Sequence, residues 1–229
     1  MPHISRFKLD GVYIPSVSTI TNSLSKDGLQ RWYRKLGFDE ADRQSGLARD
    51  KGTEVAEMFE SYRKLLKFPR KAFMKKVLSE WKQTEAGQTG IILVAEPHLV
   101  NTVQGYHGSP DLVYNNGISW KIGDDKCKKR FADYGLLMNE HAYAMCNVIH
   151  DVETGEFKPV PWTVPIQTIT FWTYHPDTGK LYPQQHEFDK SVYEDFLVCK
   201  QMYTLNRKAE AYFQEHAVPL PIEVPSEVA

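Results

Sequence analysis

Residues 105–126, Gly-Tyr-His-Gly-Ser-Pro-Asp-Leu-Val-Tyr-Asn-Asn-Gly-Ile-Ser-Trp-Lys-Ile-Gly-Asp-Asp-Lys, constrain this chain more than any other stretch. Asn115-Asn116-Gly117 sits between two strand-forming runs and predicts a hairpin, because Asn-Gly suits the positive φ angles of a two-residue turn. Side chains alternate faces along a strand, so Asp124 and Lys126 point the same way. Folding the hairpin brings Asp111 beside Asp124. Two carboxylates and a lysine at one point can hold a divalent metal and orient a water against a phosphodiester.

Nothing in the composition opposes this. The chain has 229 residues, 41% hydrophobic and 25% charged, which predicts an ordinary soluble protein of one elaborated domain or two small ones. A formal net charge of −1 gives no long-range attraction for nucleic acid, so any DNA contact must come from local basic patches. Cys127, Cys146 and Cys199 are too widely spaced for a disulfide scaffold, a zinc site or an iron–sulfur cluster, and read as reduced thiols. The first ten residues lack a long apolar core or an Arg/Ser-rich presequence, and no run reaches membrane-spanning length. The expectation is a cytoplasmic protein with no membrane partner.

Along the chain, a β-like segment over 7–14 ends at Pro15, and Ser16 or Ser18 can cap a helix through Thr19, Ile20 and Leu24. Leu29, Trp32, Tyr33 and Leu36 recur at helical spacing. Residues 40–66 read as a long helix interrupted near Gly46 and Gly52, with Val55, Met58, Phe59 and Tyr62 on one side. Residues 63–76 hold seven basic side chains and no acid. They suit either a solvated helix face or phosphate contacts. Strands are predicted near 91–96, 99–106, 109–114 and 118–126, the last three as a meander, followed by an apolar helix over 131–148. A second hairpin, 166–174 and 180–188, turns at His175-Pro176-Asp177-Thr178-Gly179, with Trp162, Phe171, Trp172 and Tyr174 packing it. A helix over 191–216 and a flexible tail, 219–229, close the chain. The fold class is α/β: a mixed central sheet flanked by helices. The reading is one domain over 1–218, with an N-terminal helical extension (1–50) and a core (51–218).

These residues resemble the PD-(D/E)XK nuclease superfamily, and within it the RecB-type exonuclease branch that includes mitochondrial genome-maintenance exonucleases and many phage nucleases. Pro15-Ser16-Val17-Ser18-Thr19 is similar to the family's leading PSVT segment, and Gly52-Thr53-Glu54-Val55-Ala56-Glu57-Met58-Phe59-Glu60 to its GTxxHxxxE helix. Gly108-Ser109-Pro110-Asp111 is similar to its Gly-x-x-Asp strand and Asp124-Asp125-Lys126 to its D-x-K strand. Asn139 and Tyr143 fall where its Q-x-x-x-Y helix lies. The resemblance implies a restriction-endonuclease-like αβββαβ core and a Mg²⁺- or Mn²⁺-dependent deoxyribonuclease, an exonuclease before an endonuclease. It would act on DNA in recombination, repair or phage DNA processing, possible recombination or replication proteins being its partners. Asp111 and Asp124 would bind the metal, with the Asp125 carbonyl in reach, and Lys126 would position the water.

Two positions depart from the pattern. Ala56 stands where the branch has a metal-binding His, and Asn139 where it has Gln. Glu60, one turn on along the same helical face, is the preferred substitute ligand, with Glu96 the other candidate. The alternatives are fewer ligands, or a catalytically impaired fold that serves as a DNA-binding or assembly module. A sequence-specific endonuclease is a third reading. Lys128, Lys129 and Arg130, Lys71, Ser16, Asn139 and Tyr143 are the candidate DNA contacts. His107 and His141 occupy no metal position of the pattern and read as hydrogen-bonding or surface residues.

Overall fold

A computed structural model of the chain describes residues 7–24, 33–88, 91–128, 133–164 and 166–216, with Ile92 described by its backbone only. Leu29 and Trp32 of the helix expected there, residues Lys129 and Arg130, and the 219–229 tail lie outside these residues, while 33–36, the end of that expected helix, is helical.

The fold is α/β, a mixed sheet between helices. Strands β3 (Ile92–Ala95), β6 (Leu112–Asn115), β7 (Trp120–Cys127), β10 (Thr168–Tyr174) and β11 (Leu181–Glu187) form the central sheet in the order β11-β10-β7-β6-β3. β10 runs parallel to β7, and the other pairs are antiparallel. A parallel pair needs a crossover. Here the chain makes it through α4 (Tyr134–Ala144), β8 (Val148–His150) and β9 (Phe157–Pro159).

Alternation along these strands sorts the core into two layers. Val113, Ile122, Ile169 and Phe171 face α1 (Val17–Thr21), α4 and α5 (Lys190–His216), whose Ile20, Met138, Ala142 and Phe196 complete that cluster. Leu112, Tyr114, Trp172 and Tyr174 point the opposite way. They meet Val55 and Phe59 of α2 (Phe38–Leu65) and Val77 and Trp81 of α3 (Ala72–Trp81). Gly123 belongs to this second face. A Cβ there would lie 2.2 Å from the Trp172 ring, so only glycine lets the indole lie across β7.

Several elements differ from expectation. α2 runs without a break through Gly46 and Gly52, because each glycine costs a helix only about 1 kcal/mol and packing elsewhere along α2 outweighs it. Residues 99–106 are not one strand of the meander. Asn101 Oδ1 accepts the backbone N–H groups of Val103 and Gln104, and Gly105 has φ +65°, so the chain turns back. β4 (Leu99–Asn101) and β5 (Tyr106–Gly108) then join β8 and β9 in a second, four-stranded sheet. The central meander is β3, β6 and β7 instead.

The turn at Asn115-Asn116-Gly117 also differs. Residues 116–119 form a longer loop held by Asn115 and Asn116 side chains on the N–H groups of Gly117, Ile118 and Ser119, with φ +87° at Gly117 alone. α4 is shorter than predicted, capped by the Asp133 carboxylate on Leu136 N–H and ended where Asn147 N–H bonds Val100. The basic run is no single helix face. Left-handed Leu66 (φ +52°) ends α2, a loop carries Lys67 and Arg70, and α3 begins after Lys71.

β1 (Phe7–Leu9) and β2 (Val12–Ile14) form a hairpin. The 168–174 and 181–187 strands and the closing helix lie where their periodicity predicts. Trp162, Phe171, Trp172 and Tyr174 are all buried. Among the described residues, no helix is long and apolar enough to cross a membrane.

Candidate active site

β6 and β7 pair with Leu112 opposite Gly123, so the next step of the antiparallel ladder sets Asp111 across from Asp124. Both share a face with Ile122, the face that α4 covers. The Lys126 ammonium donates to Asp124 Oδ1 at 2.6 Å and lies 3.6 Å from Asp111 Oδ2. Asp111 Oδ2 also accepts the Asp125 backbone N–H at 2.8 Å, which fixes its carboxylate against β7. Asp124 Oδ2 is buried and has no hydrogen-bond partner among the described residues.

Burial pushes the Asp124 carboxyl up to about 7, against the pull of Lys126. Burial disfavours the Lys126 ammonium, but the charges of Asp124 and Asp111 outweigh it and hold its pKa above the usual value.

These three side chains line a cavity of about 510 Å³ whose walls come from α1, α2, the loop before β4 and α4. Ser16 caps α1 through Thr19 N–H and stands at this wall. Asn139 Oδ1 accepts the Thr21 hydroxyl at 2.8 Å, tying α4 to α1. The Tyr143 ring packs where a side chain on residue 108 would be, 2.7 Å from an added Cβ, which requires Gly108.

Ala56 and Glu60 of α2 and Glu96 also line the cavity. Lys64 donates to Glu60 and to Glu96 at 2.9 Å each, and its hydrogen bond lowers the Glu60 pKa. Glu96 is held in a left-handed conformation, φ +48°, with its N–H on the Asp111 carbonyl.

Asp125 points through the sheet to the opposite face. Its carboxylate binds Arg63 at 2.6 Å and accepts the Tyr174 hydroxyl at 3.2 Å. Both charged side chains of that pair are almost completely buried.

Lys71 lies away from the cavity. It pairs with the exposed Glu54 in a separate surface pocket with Lys67 and Arg70, and Glu57 borders both pockets. Lys128 is half-buried, 3.7 Å from Asp133, and burial lowers its pKa.

Some features escaped the sequence reading. Glu140 on α4 is 1% exposed and lines the same cavity, its Oε2 without a hydrogen-bond partner among the described residues. Burial first, and then the Asp124 charge, hold its carboxyl well above the usual range. Its signal was an acid in the apolar run Leu136 to Ala142 with no base one turn away. His107 and His141 are both buried rather than at the surface. His107 joins a chain of imidazoles, His107–His98–His150, with 2.9 Å between nitrogens, beneath Phe7.

Among the described residues, no three or more His, Cys, Asp or Glu side chains gather closely enough to hold a metal ion. The Asp111–Asp124 pair still suits a hard dication. One or two carboxylates, with water and substrate phosphate, are the usual protein share of a Mg²⁺ shell, and Asp124 Oδ2 has no other partner.

Fold and site together define a mixed α/β protein with an acid–lysine site recessed beside its central strand. No protein-family model and no curated protein matches this sequence. Among solved structures the chain is similar to an alkaline exonuclease, LHK-Exo, from Laribacter hongkongensis, with a TM-score of 0.43 and 16% sequence identity over 88% of this chain and 91% of that one. It is similar also to LHK-Exo in complex with dAMP, with a TM-score of 0.41 and 16% identity over the same shares.

Proposed function

We propose that this chain is a Mg²⁺- or Mn²⁺-dependent deoxyribonuclease, an exonuclease in preference to an endonuclease, serving DNA recombination, repair or phage DNA processing. One observation carries the reading: two carboxylates and one ammonium meet at an open cavity, with an Asp124 oxygen left unpartnered. Asp111 and Asp124 would hold the dication, and their hard oxygens favour Mg²⁺ or Mn²⁺ over zinc. When bound, the ion supplies Lewis acidity and a more acidic water. Lys126 orients the attacking water and offsets the charge that develops on the phosphorus oxygens. Ser16, Asn139 and Tyr143 face the same cavity and contact the phosphate there. Lys128, Lys129 and Arg130 follow the lysine in sequence and bind the neighbouring backbone. Lys71, with Lys67 and Arg70, reaches DNA only beyond the ridge of α2.

A gel with linear, circular and single-stranded DNA, with and without Mg²⁺ or Mn²⁺, tests the reading. The expected result is metal-dependent loss of linear DNA, circular DNA spared, and no loss with Asp124→Ala. Discrete cuts in circular DNA would make it an endonuclease, and DNA intact in every lane would remove the enzyme reading.

A second reading, a nuclease fold that binds DNA without turnover, draws on Ala56 and on the engagement of Glu60 and Glu96 by Lys64. Bound metal and bound DNA with no cleavage would establish it.

The ion and a proton compete for Asp124. Its ionised form binds the cation, so Mn²⁺ affinity should fall about tenfold per pH unit below the carboxyl's pKa and level off above it. That pKa is about 7. Calorimetry across that pH range checks this, and an affinity independent of pH would exclude Asp124 as a ligand. Asp111→Asn should weaken Mn²⁺ binding at every pH, having lost one anionic oxygen ligand.

A further inference from the structure

Glu140 is a buried acid for which the site described above has no use. Burying a carboxyl without a hydrogen bond is unfavourable, and a glutamine or methionine would fill the same space more cheaply. Glu140 lines the same cavity as Asp111, Asp124 and Lys126, where the Lys126 charge favours its ionised form and those of Asp124 and Asp111 oppose it. Lys126 in turn is influenced by all three carboxyls. One ammonium cannot satisfy them all: it bonds Asp124, approaches Asp111, and leaves Glu140 Oε2 without a partner.

Loading a dication changes that competition. The ion takes the Asp111 and Asp124 carboxylates, and its charge repels the ammonium lodged between them. Lys126 then needs a new carboxylate within the cavity, and without one it would swing into solvent, away from the water and phosphate. We propose that Glu140 is the positioning residue that receives the Lys126 ammonium when a cation occupies Asp111 and Asp124. The charges then balance, three carboxylates against one ammonium and one dication, any proton held by Glu140 or Asp124 passing to solvent as the ion binds. The acid has no value to the metal-free fold because it is held in reserve for the loaded one. This inference rests on the metal-dependent reading of the site.

The test is Glu140→Gln, which keeps the shape and removes the negative charge. Amine labelling of Lys126, read by mass spectrometry with and without Mg²⁺, does not require cleavage. In the wild type Mg²⁺ should leave Lys126 as protected as before. In Glu140→Gln the same ion should raise its labelling about tenfold, because the displaced ammonium has no acceptor. With Mn²⁺ and DNA, the variant's kcat should fall about 10²-fold, the effect of a misplaced catalytic group, with KM for DNA and the Mn²⁺ dissociation constant within about twofold. Glu140→Asp, with the charge kept on a shorter arm, should recover part of kcat.

Equal Lys126 labelling in variant and wild type overturns the proposal. So does a tenfold loss of Mn²⁺ affinity, which would make Glu140 a ligand, and so does a loss of activity matched by a fall in melting temperature. If the wild type binds no cation, both this inference and the metal-dependent reading fail. If the labelling changes as expected but no DNA is cut, the Glu140–Lys126 exchange stands and only the nuclease reading fails.

Discussion

Lys126→Ala should abolish DNA cleavage, by about 10³-fold or more, while DNA still binds in Ca²⁺. The ammonium lies between two carboxylates, where it can act on the water and on the charge of the transition state but adds little to grip on a long polyanion. Its removal has a second consequence. Asp111 and Asp124 lose the positive charge they share in the metal-free protein, at 3.6 and 2.6 Å. A dication no longer has to displace that charge, so Mn²⁺ should bind the inactive variant more tightly than the wild type. Dead turnover with tighter metal is a combination that general unfolding cannot produce. Near-normal turnover would remove Lys126 from the mechanism.

Arg63→Ala should destabilise the protein as much as the loss of a large core side chain. The guanidinium bonds Asp125 at 2.6 Å, with 3% and 2% of the two side chains exposed. It also lies 4.4 Å from the centre of the Phe59 ring and 4.8 Å from that of Trp81. Deleting one partner of a buried pair leaves an uncompensated charge and costs about 3–5 kcal/mol. For a domain of this size that lowers the melting temperature by about 10 °C or more. The double variant Arg63→Met with Asp125→Leu should recover much of the loss, because no charge remains to be buried. Thermal denaturation of the three proteins decides it: if Arg63→Ala melts within about 3 °C of the wild type, the pair is not a structural anchor.

Much of this architecture was legible in residue order. Alternation along 120–127 correctly separated Asp124 and Lys126 from Asp125, and the apolar runs around Pro176-Asp177-Thr178-Gly179 marked the second hairpin. The misses have physical causes. Asn101 and Gly105 broke a continuous-looking strand because a side-chain oxygen can replace ladder bonds, a local choice that hydrophobic pattern does not record. Arg63 read as one of seven surface cations, yet it turned inward, because its partner lies 62 residues away on β7. Lys64 belongs to the same run, open in sequence to a solvated face or to phosphate contacts; its pairing with Glu60 is local to α2, but the bridge to Glu96 exists only once α2 crosses the strand ends. Glu140 was overlooked because an acid on a helix is ordinarily a solvated one.

The glycine beneath Trp172 bears on how the chain finds this arrangement at all. Were β7 to dock one residue out of phase, Asp124 would have to occupy the place of Gly123, where even a Cβ falls 2.2 Å from the indole. In such a slip Asp125 would fall into the place of Asp124, an acid into an acid's position, so the doubled aspartate by itself does little to oppose it. The ring therefore works as a gauge during folding, admitting one alignment of β7 and rejecting the near-identical one beside it. The alignment of β7, and with it the placing of Asp124 and Lys126, is decided by a contact on the opposite face of the sheet.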